Sequence, residues 1–223
     1  MTELGTGYTG EELLEEYISG HIEAESEVLS ALYRDTNIHL LNPRMASGHI
    51  QGRLLKMLTR MIAPHTVLEI GTFTGYSAIC IAEGLPEGGV VHTIEYDDEL
   101  EDFICKWVQR SGLSDRIFLH IGDAVKVAPQ LGLTFDMVFI DGEKREYPQY
   151  YGMAYDLVRP GGFILADNTL WDGHVIDSAY DRDAQTIAVR RFNDLVASDD
   201  RVEVAMIPIR DGITLIRKKQ IEE

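Results

Sequence analysis

The chain has 223 residues, of which 45% are hydrophobic and 26% are charged, and its 37 acidic against 20 basic residues give a formal net charge of −17. A field of this sign disfavours nucleic acid and anionic membranes as partners. The sequence shows no basic leader, no run of 18 apolar residues and only two cysteines, so we expect a cytoplasmic globular protein without a disulfide framework.

Helical patterns occupy the first 62 residues. Thr9 and Glu12 have capping-box spacing and open a short helix that ends at Gly20; a second helix is predicted over about 22–35, and a third stops at Pro64. We therefore expect one domain overall, with a helical appendage over 1–62 and a core over 63–223. The apolar faces of this appendage favour a homodimer.

Strands alternate with helices from residue 66 onward, which is typical of an α/β fold with a parallel sheet. The predicted strands are 66–70, 89–94, 116–121, 135–140 and 161–166, and the predicted helices are 75–84, 97–110, 123–130, 146–157 and 181–198. Two apolar runs, 202–207 and 212–217, then close the chain. The link between them is short, which favours an antiparallel hairpin.

A glycine turn follows the first predicted strand, in the stretch VLEIGTFTGYS over 67–77. A strand that breaks at Gly71 and restarts as a helix near Gly75 places bare backbone where α/β folds bind nucleotide-like ligands. The spacing is neither G-x-G-x-x-G nor a P-loop. The acidic Glu69 also suits a ligand without phosphates but with hydroxyls, an amino group and positive charge, such as S-adenosylmethionine.

The next two strands also end in polar residues. Glu95 ends strand two, 24 positions after Gly71, and a carboxylate there is a usual partner for ribose hydroxyls. Strand three ends at Gly122-Asp123-Ala124. Asp123 can cap the following helix or accept a hydrogen bond from an adenine amino group, and both roles stay open.

Strands four and five end in Asp141 and in Asp167-Asn168. If these strands are neighbours, their backbones lie about 5 Å apart and the three side chains converge. A cation would relieve the repulsion between the carboxylates, and oxygen ligands favour Mg²⁺, then Mn²⁺ or Ca²⁺. The alternative is that each Asp only caps the next helix.

Lys144 follows Asp141 by three residues on the same face. Most lysines are solvated surface charges, but a neighbouring cation would lower the pKa of this one and make it a usable base. Tyr147 and Trp171 flank the same loops and could wall a flat substrate, with packing in the core as the alternative. No G-x-S-x-G elbow occurs, so nucleophilic hydrolysis has no support.

These motifs together resemble the cation-dependent class I O-methyltransferases, which include caffeoyl-CoA and catechol O-methyltransferases and their bacterial relatives. The resemblance runs from about Met45 to Arg217. It rests on VLEIGTFTGYS (67–77), TIEYD (93–97), GDA (122–124), FIDGEKREY (139–147), LADNTLW (165–171), RFN (191–193) and PIRDG (208–212).

The resemblance implies a Rossmann-like class I methyltransferase fold, a seven-stranded, mostly parallel sheet with an antiparallel last strand. It implies that S-adenosylmethionine is held by Met45, Glu69, Gly71, Phe73, Tyr76, Ser77, Glu95, Tyr96, Gly122, Asp123, Ala124 and Asp141. Asp141, Asp167 and Asn168 would bind the metal, and Lys144 would be the catalytic base beside Asp141. The substrate would be a catechol-like ortho-diphenol whose hydroxyl is methylated.

Two other functions remain open from the sequence. A nicotinamide-dependent oxidoreductase could use the same sheet, although the missing G-x-G-x-x-G argues against it. A non-catalytic S-adenosylmethionine-binding module could keep the fold without the reaction. The presence of Asp141, Lys144, Asp167 and Asn168 together argues against such a loss of activity.

Overall fold

Three helices precede the sheet in the computed structural model, which describes residues 10–220: α1 (Gly10–Ser19), α2 (Glu27–His39) and α3 (Gly48–Ile62). Thr9, the predicted cap of the first helix, lies outside the described residues. The second helix begins later than the predicted residue 22 because Ser26 caps it, with its hydroxyl accepting a hydrogen bond from the Leu29 amide at 3.4 Å. It also continues past the predicted end at residue 35.

Each predicted strand of the core is present. The strands are β1 (Thr66–Ile70), β2 (Val90–Glu95), β3 (Ile117–Ile121), β4 (Phe135–Ile140), β5 (Val158–Ala166), β6 (Val202–Ile207) and β7 (Ile213–Lys218). Between them lie α4 (Tyr76–Gly84), α5 (Glu101–Ser111), α6 (Ala124–Gln130), α7 (Tyr147–Leu157) and α8 (Ala184–Ala197). Helix α8 begins after the predicted residue 181 because Asp183 caps it, accepting from the Thr186 amide at 2.7 Å.

The seven strands form one sheet in the order β3-β2-β1-β4-β5-β7-β6. Strands β1 to β5 are parallel, and β7 is antiparallel to both β5 and β6. The predicted parallel core and the predicted terminal hairpin are both confirmed. The strand order reverses between β1 and β4, so the carboxyl ends of these two strands border the crevice where such sheets bind ligands.

Hydrophobic cores cover both faces of the sheet. On one face, Leu29 of α2 and Leu55 of α3 share a core with Ile79 of α4 and Trp107 of α5. On the other face, α6, α7 and α8 cover the sheet with residues such as Phe192. The helices before β1 therefore share the core of the sheet, so α3 can reach the ligand crevice.

Within residues 10–220, no helix combines the length and the apolar character that a membrane span requires.

Candidate active site

The glycine turn after β1 is held in place by Glu95. The Oε2 atom of Glu95 accepts hydrogen bonds from the backbone amides of Thr72 at 3.2 Å and Phe73 at 2.7 Å, and its Oε1 atom accepts from the Asp97 amide at 2.9 Å. Phe73 has a φ of +50° inside this turn. A carboxylate has about four acceptor positions, so Glu95 can shape the turn and still accept a hydrogen bond from a ligand.

A cleft of about 1410 Å³ opens at the carboxyl ends of the parallel strands. It brings together the predicted cofactor residues Met45, Gly71, Phe73, Tyr76, Ser77, Glu95, Tyr96, Gly122, Asp123, Ala124 and Asp141. The same cleft is lined by Lys144, Asp167, Asn168 and Trp171. The residues predicted from separate motifs therefore border one continuous space. Asp123 does cap α6, because it accepts from the Val125 amide at 3.0 Å.

Glu69 is the exception among the predicted cofactor residues. Its side chain is fully buried behind the cleft wall, where the Thr93 hydroxyl donates to its Oε2 atom at 2.5 Å. Burial raises the pKa of Glu69 to about 8, although the hydrogen bond from Thr93 opposes the rise. Since Glu69 does not line the cleft, its side chain lies behind the glycine turn and does not contact the space for a ligand.

The half-buried carboxyl group of Asp141 and the buried one of Asp167 lie side by side at the centre of the cleft. Ile140 of β4 pairs with Ala166 of β5, so Asp141 and Asp167, the next residues of each strand, are neighbours. Burial raises the pKa of both groups, and for Asp167, where the Asp141 charge adds to the effect, it reaches about 7. Two adjacent acids with so little access to water repel each other unless a positive group neutralises them.

The candidate metal donors are the oxygens of Asp141, Asp167 and Asn168. The Asn168 amide nitrogen donates to Asp211 Oδ2 at 3.2 Å, so the amide oxygen is the atom that remains for a ligand. Among residues 10–220, no three His, Cys, Asp or Glu side chains form a metal-binding cluster. Any cation held here would thus depend on the amide as well as on two carboxylates, an all-oxygen set that suits a hard ion.

Lys144 is held by three contacts at the edge of this centre. Its Nζ atom donates to Asp141 Oδ1 at 3.1 Å, to the Gly142 carbonyl at 3.2 Å and to the Tyr147 hydroxyl at 2.8 Å. Burial alone would lower the pKa of Lys144, but its contacts with Tyr147 and Asp141 raise it above its ordinary value. The lower pKa expected from the sequence depends on a cation bound beside Lys144, so it stays a prediction.

The two predicted substrate-wall aromatics have different positions. Tyr147 is fully buried, packs edge-on against Phe192 and donates its hydroxyl proton to the Asp167 carbonyl at 2.9 Å. It therefore packs in the core, the alternative left open by the sequence, and it does not face the cleft. Trp171 does line the cleft, and its ring centre lies 5.9 Å from Lys144 Nζ.

Sequence reasoning missed the residues that brace Asp167 from outside the parallel strands. Gln51 of α3 is 3% exposed and donates its amide proton to Asp167 Oδ2. Arg210, in the link between β6 and β7, donates to Gln51 Oε1 at 3.2 Å and to the Ser47 carbonyl. Arg210 lies in the PIRDG motif, so that motif could have identified it as a candidate site residue. Nothing in the local sequence pattern distinguishes Gln51 from a surface glutamine.

Comparison with known proteins decides the family. The model of the O-methyltransferase family matches residues 18–219. This chain belongs to that family. Among its relatives, a catechol O-methyltransferase from Niastella koreensis is 33% identical over 88% of this chain and 90% of its own length. A caffeoyl-CoA O-methyltransferase from Eucalyptus gunnii is 33% identical over 88% of this chain and 83% of its own.

Solved structures of O-methyltransferases share the fold. The crystal structure of TomG from Streptomyces achromogenes in complex with S-adenosylmethionine has a TM-score of 0.87 at 32% identity, covering 95% of this chain and all of that one. The Bacillus cereus O-methyltransferase bound to S-adenosylhomocysteine has a TM-score of 0.86 at 29% identity, covering 93% and 97%. The class I methyltransferase fold predicted from the motifs is confirmed, and family membership argues against the nicotinamide alternative.

Proposed function

We propose that this protein is an S-adenosylmethionine-dependent and Mg²⁺-dependent O-methyltransferase that methylates one hydroxyl of a catechol-like ortho-diphenol. The observation that supports it is the one cleft that is lined both by the glycine turn and by Asp141, Lys144, Asp167 and Asn168. The half of the cleft at the glycine turn has the features of a nucleoside site. The half around Asp141 and Lys144 contains the charged groups that a reaction at a phenolic oxygen needs.

The proposed cofactor site is the wall formed by the glycine turn and the ends of β2 and β3. S-adenosylmethionine would lie along Gly71 and Phe73, with Glu95 at its ribose and Asp123 near its adenine. The bound cofactors in the TomG and Bacillus cereus structures support this assignment. Met45 is 60% exposed at the rim of the cleft and would cover the cofactor from the outside.

The proposed metal ligands are Asp141, Asp167 and Asn168. The site fits a hard cation because two adjacent carboxyl groups with raised pKa values gain from a positive charge between them. Mg²⁺ is our first choice, with Mn²⁺ or Ca²⁺ as the alternatives. When bound, a divalent ion supplies the Lewis acidity that lowers the pKa of a coordinated hydroxyl.

We propose Lys144 as the residue that takes the proton of the reacting hydroxyl. Asp141 and Tyr147 hold its amine at the edge of the cleft, while Trp171 borders the space for a flat ring. Lys144 must lose its own proton before it accepts another. Turnover should therefore increase with pH as the neutral amine becomes available. The remaining task of the protein is to align the acceptor oxygen with the methyl group.

The test is a calorimetric titration of S-adenosylmethionine, followed by methyl transfer to catechol with Mg²⁺ or with a chelator. We expect binding and a transfer that the chelator abolishes. Asp141→Ala should lose transfer but keep measurable cofactor binding. Transfer that persists in the chelator would refute the metal assignment, and binding without transfer to any diphenol would favour a non-catalytic module. If S-adenosylmethionine does not bind, the cofactor assignment is wrong.

We also propose a homodimer and a cytoplasmic location. Exposed apolar side chains support the first proposal: Leu14 and Tyr17 on α1 are 58% and 63% exposed, and Met57 and Met61 on α3 are 54% and 75% exposed. The unpaired Cys80 and Cys105 support a reduced compartment. Sedimentation of a Met57→Glu, Met61→Glu double variant against the unchanged protein tests the dimer, since charges on a shared apolar face should separate the subunits.

A further inference from the structure

The loop between β5 and α8 spans residues 171–181, and its first residue, Trp171, lines the cleft. Its first three residues, Trp171, Asp172 and Gly173, all have a positive φ, at 46°, 50° and 76°. The backbone changes direction at these three residues, and the side chain of Trp171 lines the cleft near Lys144. A positive φ costs free energy at the two residues that are not glycine, so the loop needs contacts elsewhere to keep this shape.

Four such contacts come from one side chain on α8. Arg190 donates from Nε to the Val175 carbonyl at 2.9 Å, and from Nη2 to the carbonyls of His174 at 2.9 Å and Asp177 at 2.8 Å. Its Nη1 atom also pairs with Asp181 Oδ1 at 2.6 Å. A single guanidinium therefore holds four acceptors spread along the loop. The planar, permanently charged fork of arginine is suited to such multiple contacts.

The loop also closes on itself. The rings of His174 and Tyr180 stack with their centres 3.5 Å apart and their planes within 11°. The stack joins the two ends of the segment that Arg190 holds. Trp171 lies three residues before this segment, and its ring packs edge-on against the ring of His174 with the centres 6.3 Å apart. Its amide donates to the carbonyls of Asn168 at 3.2 Å and Asp211 at 3.3 Å. The loop is thus built to keep its shape before any ligand arrives.

We propose that Arg190 is a positioning residue that fixes the 171–181 loop, and with it Trp171, so that the acceptor enters a preformed site. This inference rests on the proposed methylation of a diphenol. A loop that is already ordered does not have to lose conformational entropy when the acceptor binds. Loosening it should weaken acceptor binding while the cofactor wall, on the other side of the cleft, stays intact.

The test compares Arg190→Lys with the matched control Arg191→Lys. Lysine keeps the positive charge but is a point charge that cannot span four acceptors. Arg191 is on the same helix, exposed, and makes no side-chain hydrogen bond within the described part of the chain. We expect Arg190→Lys to raise the KM for catechol by about tenfold, with a smaller change in kcat and an unchanged Kd for S-adenosylmethionine. Asp181→Asn, which weakens one of the four contacts, should have an intermediate effect.

Acrylamide quenching of tryptophan fluorescence provides a readout that does not depend on turnover. Trp107 is 1% exposed, so a change in quenching reports Trp171, the other tryptophan of the chain. Greater quenching in Arg190→Lys than in Arg191→Lys is the expected result. Equal KM and equal quenching in the two variants would overturn the proposal and leave the methyltransferase function standing. If the unchanged protein methylated no diphenol, the proposed function would fail, and the quenching comparison alone would decide whether Arg190 holds the loop.

Discussion

Gly71 lies directly against the backbone of Asp141. A Cβ atom at position 71 would be 2.7 Å from the Asp141 carbonyl carbon and closer still to its oxygen, and Gly71 has a φ of +92°. The turn of the proposed cofactor site and the first proposed metal ligand are therefore in contact through bare backbone. Any side chain at position 71 must displace one of them.

Replacing Gly71 with alanine should damage both halves of the cleft. We expect Gly71→Ala to weaken S-adenosylmethionine binding by more than about tenfold, because either the turn or Asp141 must move. Gly88→Ala is the control, since Gly88 also has a positive φ of +76° but open space around it. It should lose only about 1 kcal/mol of stability. Calorimetry measures the affinity of both variants for S-adenosylmethionine, and urea unfolding measures their stability. Similar affinities in the two variants would show that the contact between Gly71 and Asp141 is not needed for cofactor binding.

Removal of the Tyr147 hydroxyl should slow turnover without affecting cofactor binding. Tyr147→Phe deletes the bridge between Lys144 and the Asp167 carbonyl, so we expect kcat to fall by about 10-fold to 100-fold. Tyr151→Phe on the same helix also loses a hydroxyl contact, a partly buried one to Asp199 at 2.8 Å, and neither residue lines the cleft. Both should lose about 1 kcal/mol of stability. If kcat falls equally in both, the effect reflects folding rather than the position of Lys144.

Glu69 should make the stability of the free protein decrease with pH. The pKa of Glu69 is raised to about 8 in the fold from an ordinary value of 4.5, so folding favours the protonated carboxyl group. The contribution of Glu69 to the free energy of unfolding is therefore fully present below pH 4.5 and is lost as the pH rises through 8. Glu69→Gln should remove this loss. The free energy of unfolding of the variant, relative to that of the unchanged protein, should therefore increase from pH 5 to pH 8 by up to roughly 1.4 kcal/mol per pH unit. Urea unfolding at several pH values measures it.

The control for this prediction is Glu101→Gln, an exposed carboxylate at the start of α5. The effect of Glu69→Gln on the free energy of unfolding should change more over this pH range than the effect of the control substitution. A constant difference between Glu69→Gln and the unchanged protein would mean that Glu69 is ionised in the fold.

Loss of the Gln51 amide should weaken metal binding. Gln51 holds one oxygen of Asp167 and is itself held by Arg210, and partners of ligating groups commonly contribute 10-fold to 100-fold in metal affinity. We expect Gln51→Ala to raise the Mn²⁺ dissociation constant, measured by electron paramagnetic resonance, within about that range. Gln185→Ala is the control, because Gln185 also lines the cleft but bonds to Glu143. Equal Mn²⁺ affinities in the two variants would exclude this role.

Local rules account for the success of the sequence-based prediction. Strands and helices have different hydrophobic periods, so the alternation of strand and helix patterns along the chain predicted the parallel sheet. The carboxyl ends of parallel strands lie at one edge of such a sheet. Asp141 and Asp167 could therefore be placed together because each directly follows a strand. Helix boundaries were less accurate where a cap decides them, as with Ser26 and Asp183.

The sequence by itself determined the class of fold, the glycine turn and the acidic strand ends, since each depends on residues close together in the chain. The tertiary structure decided which side chains face the cleft. It buried Glu69 and Tyr147, and it brought Gln51 to Asp167 across 116 positions. It also brought Arg190 to the 171–181 loop. Contacts between distant segments depend on how whole helices and hairpins pack, and no periodicity in one segment encodes the side chain that another segment will place against it.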